Sequence, residues 1–222
     1  MKPTAEQQQF LSKNLSKNLM YRETYTEFYD HILSALETKP DTMSFQDAVD
    51  SIIADDFGGY AGMRGIESRY QKTIMQEMQQ KYVAYVTGYL KPPLIGLTAS
   101  LALLFYWVTQ QAWFSAGTFF LIVIGMRMVP SLLKGTRYLW LGYMFKTTKG
   151  SVKDGAFKWL DFAPIMVCLI VFTIPVLYTN SWSDWFKSAN AIGLTIFLLL
   201  CAIHTITYFR VYKDEFKTII TR

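Results

Sequence analysis

The chain has 222 residues, of which 51% are hydrophobic and 18% are charged, and its formal net charge is +5. The basic excess belongs to one half: residues 1–91 hold 10 Lys or Arg against 12 Asp or Glu, whereas residues 92–222 hold 12 basic against 5 acidic residues. That half is also the apolar one, so its cations would meet anionic lipid headgroups, and the charge does not indicate a nucleic-acid partner. The two cysteines, Cys168 and Cys201, lie in apolar stretches without metal-ligand spacing and are predicted to be packing residues.

Residues 1–90, called the head from here on, are predicted to form a cytoplasmic helical domain. Helices are expected over 4–19, 22–37, 44–57 and 60–90, because apolar residues recur there at helical spacing. Ser44 offers an N-cap, and Phe57-Gly58-Gly59 is typical of a helix end, since glycine adopts the left-handed conformation at low cost. The apolar stripes of the first three helices are Phe10, Leu11, Leu15 and Leu19, then Tyr25, Phe28, Ile32, Leu33 and Leu36, then Phe45, Ala48, Val49, Ile52 and Ile53.

The fourth head helix leads directly into the sequence Lys91-Pro92-Pro93. A break is expected there, because proline has no backbone N–H and disfavours helix at the preceding residue. The head is therefore predicted to be joined to the rest of the chain by a stiff arm with a hinge. Two interpretations are open: the arm transmits a change in the head, or it is a plain structural stalk.

Residues 91–222 are predicted to form a four-span transmembrane bundle. Four apolar stretches, 94–109, 113–129, 162–178 and 189–209, are each near the length that a helix needs to cross the bilayer core. Buried helices of a soluble protein are the alternative. They are disfavoured because four such helices would need a larger polar shell than this chain supplies.

The distribution of Lys and Arg predicts that both termini are cytoplasmic. Lys134 to Lys158 carries six basic residues against Asp154, whereas the Gln110-Gln111 turn has no charge. The outer face is predicted to be anchored by four tryptophans at the headgroup level, Trp107, Trp113, Trp182 and Trp185. The expected localisation is the bacterial inner membrane, and the fold class is an all-α head followed by a transmembrane bundle.

One part of the head, about residues 20–80, resembles a known family. The run from Tyr25 to Glu37, with Asp30-His31-Ile32 inside it, the run Met43-Ser44-Phe45-Gln46-Asp47-Ala48, and Phe57-Gly58-Gly59 are similar to the head of HAAS-type, signalling-associated bacterial multi-span membrane proteins, with Bacteroidetes relatives the nearest. That family accompanies transcription regulators and transport permeases and has no established catalytic residues. The resemblance implies a regulatory or partner-binding role, with no active site to carry over.

The candidate partner-binding residues of the head are Asp30, His31, Phe57, Gly58 and Gly59. Glu27 and His31 also have the i, i+4 spacing of two metal ligands. No second pair completes such a site in the sequence, so we expect no metal, and Asp30 and His31 are predicted to cap or pair with a neighbouring segment.

Two ionisable residues, Arg127 and His204, lie within the predicted spans, where such groups are costly and therefore functional candidates. Arg127 is expected to extend toward the cytoplasmic headgroups. His204 is expected to be hydrogen-bonded across the bundle, to Arg127 or to a carbonyl freed by Pro175. The alternative is that these residues serve a proton relay or bind a ligand.

The sequence contains none of the common enzyme signatures, and we expect a non-enzymatic membrane protein without cofactors. The main hypothesis is a regulatory or scaffold protein whose head binds a protein partner. The alternative is a small oligomeric transporter or channel subunit that uses His204 and Arg127. The expected partners are membrane lipids, a protein bound to the head and a second copy of the chain, but no nucleic acid.

Overall fold

The computed structural model describes residues 1–140, 149–179, 186 and 189–216, and every regular element in that part of the chain is a helix. This confirms the all-α prediction. The helices are α1 (Ala5–Asn18), α2 (Arg22–Thr38), α3 (Phe45–Phe57), α4 (Gly59–Gly88), α5 (Leu94–Thr109), α6 (Ala116–Trp140), α7 (Val152–Thr179) and α8 (Ala191–Phe216). The predicted anchors Trp182 and Trp185 lie outside the described residues.

The chain forms two compact units, which are described separately. The first contains residues 1–76 and 149–156, and the second contains residues 77–140, 157–179, 186 and 189–216. Two helices, α4 and α7, therefore begin in the first unit and end in the second. The boundary at residue 90 that the sequence predicts separates a head from a membrane-embedded part, which is a different division from the one between these two units. It stays a prediction.

The first unit contains α1, α2, α3 and the first part of α4 around one apolar core. Because α1, α2 and α3 are amphipathic, each buries a stripe of residues spaced three or four apart. Phe10 is an exception to the predicted stripes, since its side chain is 46% exposed on the outer side of α1. The buried core consists of Leu11, Leu15, Leu19, Phe28, Ile32, Leu36, Ala48, Val49, Ile52, Ile53 and Met63.

The ends of the head helices follow local rules that are legible in the sequence. Ser44 caps α3 as predicted, and its hydroxyl accepts a hydrogen bond from the backbone N–H of Asp47 at 3.1 Å. Gly58 ends α3 with φ 69° and ψ 36°, the left-handed conformation that the Phe57-Gly58-Gly59 run predicted.

Residues 149–151 and the start of α7 also belong to this unit, because Arg22 donates its backbone N–H to the Gly150 carbonyl at 3.0 Å.

The predicted break after α4 is present. Helix α4 ends at Gly88 and α5 begins at Leu94, so the Lys91-Pro92-Pro93 sequence lies between two helices. Thr98 of α5 donates its hydroxyl hydrogen to the Tyr89 carbonyl at 2.8 Å in a buried position. That bond supplies a partner to a carbonyl that no longer has one within its own helix.

In the second unit, α8 packs against α5 and α6. Two helices, α6 over Ala116–Leu139 and α8, are long and apolar enough to cross a membrane. Helix α5 is apolar but has only 16 residues. The core between these helices is built mainly from aromatic and aliphatic side chains and includes one predicted packing cysteine: Phe114, Phe119, Val123, Leu194, Leu198 and Cys201.

Replacing Gly58, at the end of α3, should lower the stability of the chain. We expect Gly58→Ala to destabilise the full chain by about 1–2 kcal/mol, because a side chain is strained in the left-handed conformation. The matched control is Gly65→Ala, at a helical position of α4 where an added Cβ meets nothing within 4 Å. It should instead stabilise by about 0.5–1 kcal/mol. Thermal unfolding of both purified variants in detergent, followed by circular dichroism, checks the opposite signs, and equal shifts would contradict this role of Gly58.

Candidate functional site

Of the five predicted head residues, Phe57, Gly58 and Gly59 lie at the junction of α3 and α4, and Asp30 and His31 lie on α2. His31 Nε2 is 2.8 Å from Asp56 Oδ2, and its ring packs edge-on against Phe57 with 5.0 Å between centroids. Asp30, His31, Asp56 and Gly58 are exposed and Phe57 is half-buried. These five residues are called the His31 patch. The pairing of His31 with a neighbouring helix agrees with the sequence prediction.

The partner of His31 is therefore a carboxylate on α3 and not Glu27 of its own helix. Over the described residues, no group of three or more His, Cys, Asp or Glu side chains is placed to hold a metal ion. Gly59, the fifth predicted residue, has φ 78° and begins α4. The patch thus combines a polar pair with an aromatic side chain at a fixed helix junction, an arrangement that can contact a protein surface.

The second unit contains a buried group of charged side chains centred on Asp161 of α7. Its carboxylate is 0% exposed and accepts short hydrogen bonds from Arg127 Nη2 and Lys134 Nζ, both of α6. His204 of α8 approaches the same carboxylate, with 3.6 Å between its Nε2 and Asp161 Oδ1. The structure therefore brings the two predicted intramembrane residues together through a shared acid. Asp161, Arg127, Lys134, His204 and Tyr82 are called the Asp161 cluster.

Tyr82 of α4 holds the other side of the His204 ring. Its hydroxyl lies 2.6 Å from His204 Nδ1. Burial raises the pKa of the Tyr82 phenol to about 12, so the hydroxyl keeps its proton and can donate it to Nδ1. With Nδ1 as the acceptor, the ring proton of the neutral imidazole is on Nε2, on the side of Asp161.

Two details of the sequence-based prediction differ from the structure. Arg127 pairs with Asp161, a contact that the sequence did not predict: its side chain is only 13% exposed, and a buried guanidinium requires a counter-charge. The hydrogen-bond partner of His204 among the described residues is Tyr82 and not Arg127 or a carbonyl near Pro175. Thr205, next to His204, donates instead to the Met126 carbonyl at 3.1 Å and so links α8 to α6.

Sequence reasoning missed Asp161, Lys134 and Tyr82. A signal for Asp161 was present, because an acid directly before the apolar stretch 162–178 lies at a position where an unpaired charge is costly. The number of residues between Asp161 and Arg127 does not predict whether they touch, since the two residues are on different helices. Tyr82 is one of several tyrosines of the fourth head helix, and nothing in the sequence distinguishes its hydroxyl from theirs.

No family model matches the chain, and no curated protein or solved structure matches it either. The resemblance of residues 20–80 to HAAS-type proteins therefore stays a prediction.

Removing the carboxylate from the cluster should be strongly destabilising. Asp161→Leu leaves Arg127 buried without its counter-charge, and breaking a buried pair in this way costs about 3–5 kcal/mol. In the double variant Arg127→Met with Asp161→Leu, part of that loss should be recovered, because no uncompensated guanidinium remains and only Lys134, which is 23% exposed, still lacks its partner. Thermal unfolding of the single and double variants in the same detergent measures the difference. A double variant less stable than Asp161→Leu would contradict the ion-pair account.

Proposed function

We propose that this protein is a four-span integral membrane protein, with α5, α6, α7 and α8 as its spans. The support is a large amount of exposed apolar surface on all four helices, which a water-soluble unit of this size would not maintain. Leu103 of α5 is 70% exposed, and Leu121 of α6 is 69% exposed. Further exposed apolar residues on these helices are Leu104, Leu132, Val167, Leu169, Ile170, Ile192 and Leu200.

We infer that the head is cytoplasmic from two independent observations. Residues 134–158 carry six Lys or Arg against Asp154, and basic connections of this kind remain on the cytoplasmic side. Residues 149–156, which include the start of α7, belong to the head unit, where Lys149 Nζ donates to the Ser16 carbonyl at 2.8 Å. The head and this basic connection therefore share one side of the membrane.

This orientation predicts which positions react from outside the cell. In a chain whose native cysteines, Cys168 and Cys201, are replaced by alanine, Ala112→Cys in the α5–α6 turn should react with a membrane-impermeant maleimide on intact cells. Ser34→Cys, exposed on α2, is the control and should react only after permeabilisation. Labelling of the Ser34→Cys variant on intact cells would contradict a cytoplasmic head.

We propose that the molecule is a non-enzymatic regulatory or scaffold protein whose head binds a cytoplasmic protein. The observation that carries the proposal is the attachment of α7 to the head. Glu23 of α2 accepts a hydrogen bond from the backbone N–H of Val152, the first residue of α7, at 3.1 Å. The carboxylate also complements the positive end of the α7 dipole. Asp161, which holds the buried cluster, lies nine residues further along the same helix.

A protein that changes the position of α2 on binding would therefore act on the start of α7. The His31 patch is the proposed contact surface, because it places an exposed carboxylate, an imidazole and an aromatic edge together beside α2. Aromatic side chains, Phe included, are enriched at protein interfaces, and charged groups there contribute to the choice of partner. The resemblance to signalling-associated proteins supports the same role.

Crosslinking in native membranes, followed by mass spectrometry, tests this proposal. We expect a heterologous protein crosslinked to the head, and Asp30→Lys should reduce its recovery at least about tenfold, since like charges at an interface cost several kcal/mol. The matched control is Asp50→Lys, the same charge reversal at an exposed position outside the His31 patch. Equal recovery with wild type and Asp30→Lys, or crosslinks only between copies of this chain, would contradict the proposed role of the patch.

A small oligomeric transporter or channel subunit is the second candidate. One observation favours it: Arg127 and His204, from different helices, meet at the same buried acid, as ionisable groups do along ion pathways. This candidate predicts proton or ion flux in reconstituted vesicles, detected with a trapped pH-sensitive dye, and loss of that flux in the His204→Gln variant. The absence of proton or ion flux into protein-containing vesicles at every pH tested would exclude a transporter or channel.

A further inference from the structure

A cavity of about 320 Å³ lies in the second unit beside the Asp161 cluster. Arg127, His204 and Tyr82 form its polar part, together with the two thiols Cys168 and Cys201. The remainder of its lining is apolar and comes from α4, α7 and α8: Val86, Pro164, Val167, Phe197, Leu200 and Ile203. The cavity therefore has one charged end and a hydrocarbon wall.

The charges at that end do not balance. Arg127 and Lys134 both bond to Asp161, so two cations share one carboxylate, and His204 adds no charge when its Nδ1 accepts from the Tyr82 hydroxyl and its one ring proton is on Nε2. The cluster thus has an excess of one positive charge. A buried charge is costly unless it is paired, so the excess favours the binding of an anion.

The donors for such an anion are identifiable. Arg127 Nη1 is buried and has no hydrogen-bond partner within the part of the chain that the structure describes. His204 Nε2 is also buried and without such a partner, because the Asp161 carboxylate that it faces is 3.6 Å away, beyond hydrogen-bond distance. The side chains that carry them are 13% and 6% exposed, and both residues line the cavity. A buried donor without a partner costs free energy, and an acceptor in the cavity would remove that cost.

We propose that this cavity binds a singly charged, single-tailed carboxylate amphiphile of the fatty-acid type. The carboxylate accepts from Arg127 Nη1 and His204 Nε2 and neutralises the cluster, because one added negative charge matches the excess of one. The hydrocarbon tail lies along Val167, Phe197 and Leu200. Val167 and Leu200 are also exposed at the surface of the unit, so the cavity opens on its apolar exterior.

The lining favours a carboxylate over the headgroup of an acidic phospholipid. A carboxylate has two acceptor atoms, which the two free donors satisfy. A phosphodiester headgroup would bring ester oxygens, a glycerol unit and a polar substituent into a cavity whose remaining lining, apart from Tyr82 and the two thiols, is hydrocarbon. Those atoms would be buried without partners, and each would cost free energy.

The probe for this site is the fluorescent fatty acid cis-parinarate, titrated into the purified full chain in nanodiscs of phosphatidylcholine. We expect saturable binding that palmitate displaces and that methyl palmitate, with the same tail but no charge, does not. Arg127→Gln should weaken binding at least about tenfold, because it removes the cationic donor. Val167→Trp should abolish binding by filling the cavity, and it leaves every member of the charged cluster in place.

The matched control is Leu169→Trp, the same enlargement on α7 at an exposed position that does not line the cavity, and it should bind like wild type. Thermal unfolding of each variant separates loss of the site from loss of the fold.

Displacement by methyl palmitate as effective as by palmitate would overturn the proposed carboxylate contact. Displacement by phosphatidylglycerol at the same mole fraction would assign the site to a bilayer phospholipid, and unchanged binding by Val167→Trp would place the ligand elsewhere. Each of these results is obtained without any protein partner of the head.

Discussion

The carboxylate of Asp161 is the point at which three helices of the second unit meet electrostatically. It accepts hydrogen bonds from Arg127 and Lys134 of α6 and lies 3.6 Å from His204 of α8, while Asp161 itself is on α7. In a low-dielectric interior such charges are stable only together, because each would be costly alone. The relative placement of these helices is therefore constrained by chemistry as well as by packing, since apolar contacts alone allow many rotations of one helix against another.

Different interactions stabilise the two units. In the head, a core of aliphatic and aromatic residues is enclosed by helices, of which α1 and α3 have side-chain N-caps. In the second unit many large apolar side chains remain exposed, so burial of apolar area supplies less of the driving force there. Close packing around Phe119 and Leu198 and the buried ion pairs must then contribute more to its stability. A charge substitution should accordingly be far more damaging at Asp161 than at an exposed position of α2.

Helix α7 connects the proposed functions of the two units. Its first residue, Val152, is bonded to Glu23 of the head, and its residue Asp161 holds the charged cluster. A ligand that changes the charge balance of the cluster and a protein that binds the head would thus affect the same helix. If both sites act on its position, their binding is coupled, and thermodynamic linkage requires that each then alters the affinity of the other equally.

Sequence alone determined the features that depend on neighbouring residues. The head helices, the Ser44 cap, the left-handed Gly58 and the break at Pro92-Pro93 all follow from local stereochemistry, and the structure has them where they were expected. Arg127 and His204 were recognisable because a charge in an apolar stretch is costly wherever it lies. Their partners were not, since Asp161 and Tyr82 come from other helices, and helical periodicity gives the face of a residue but not the neighbour it meets. Only the tertiary structure decided that Arg127 is buried in an ion pair, that Tyr82 orients His204, and that a cavity adjoins them.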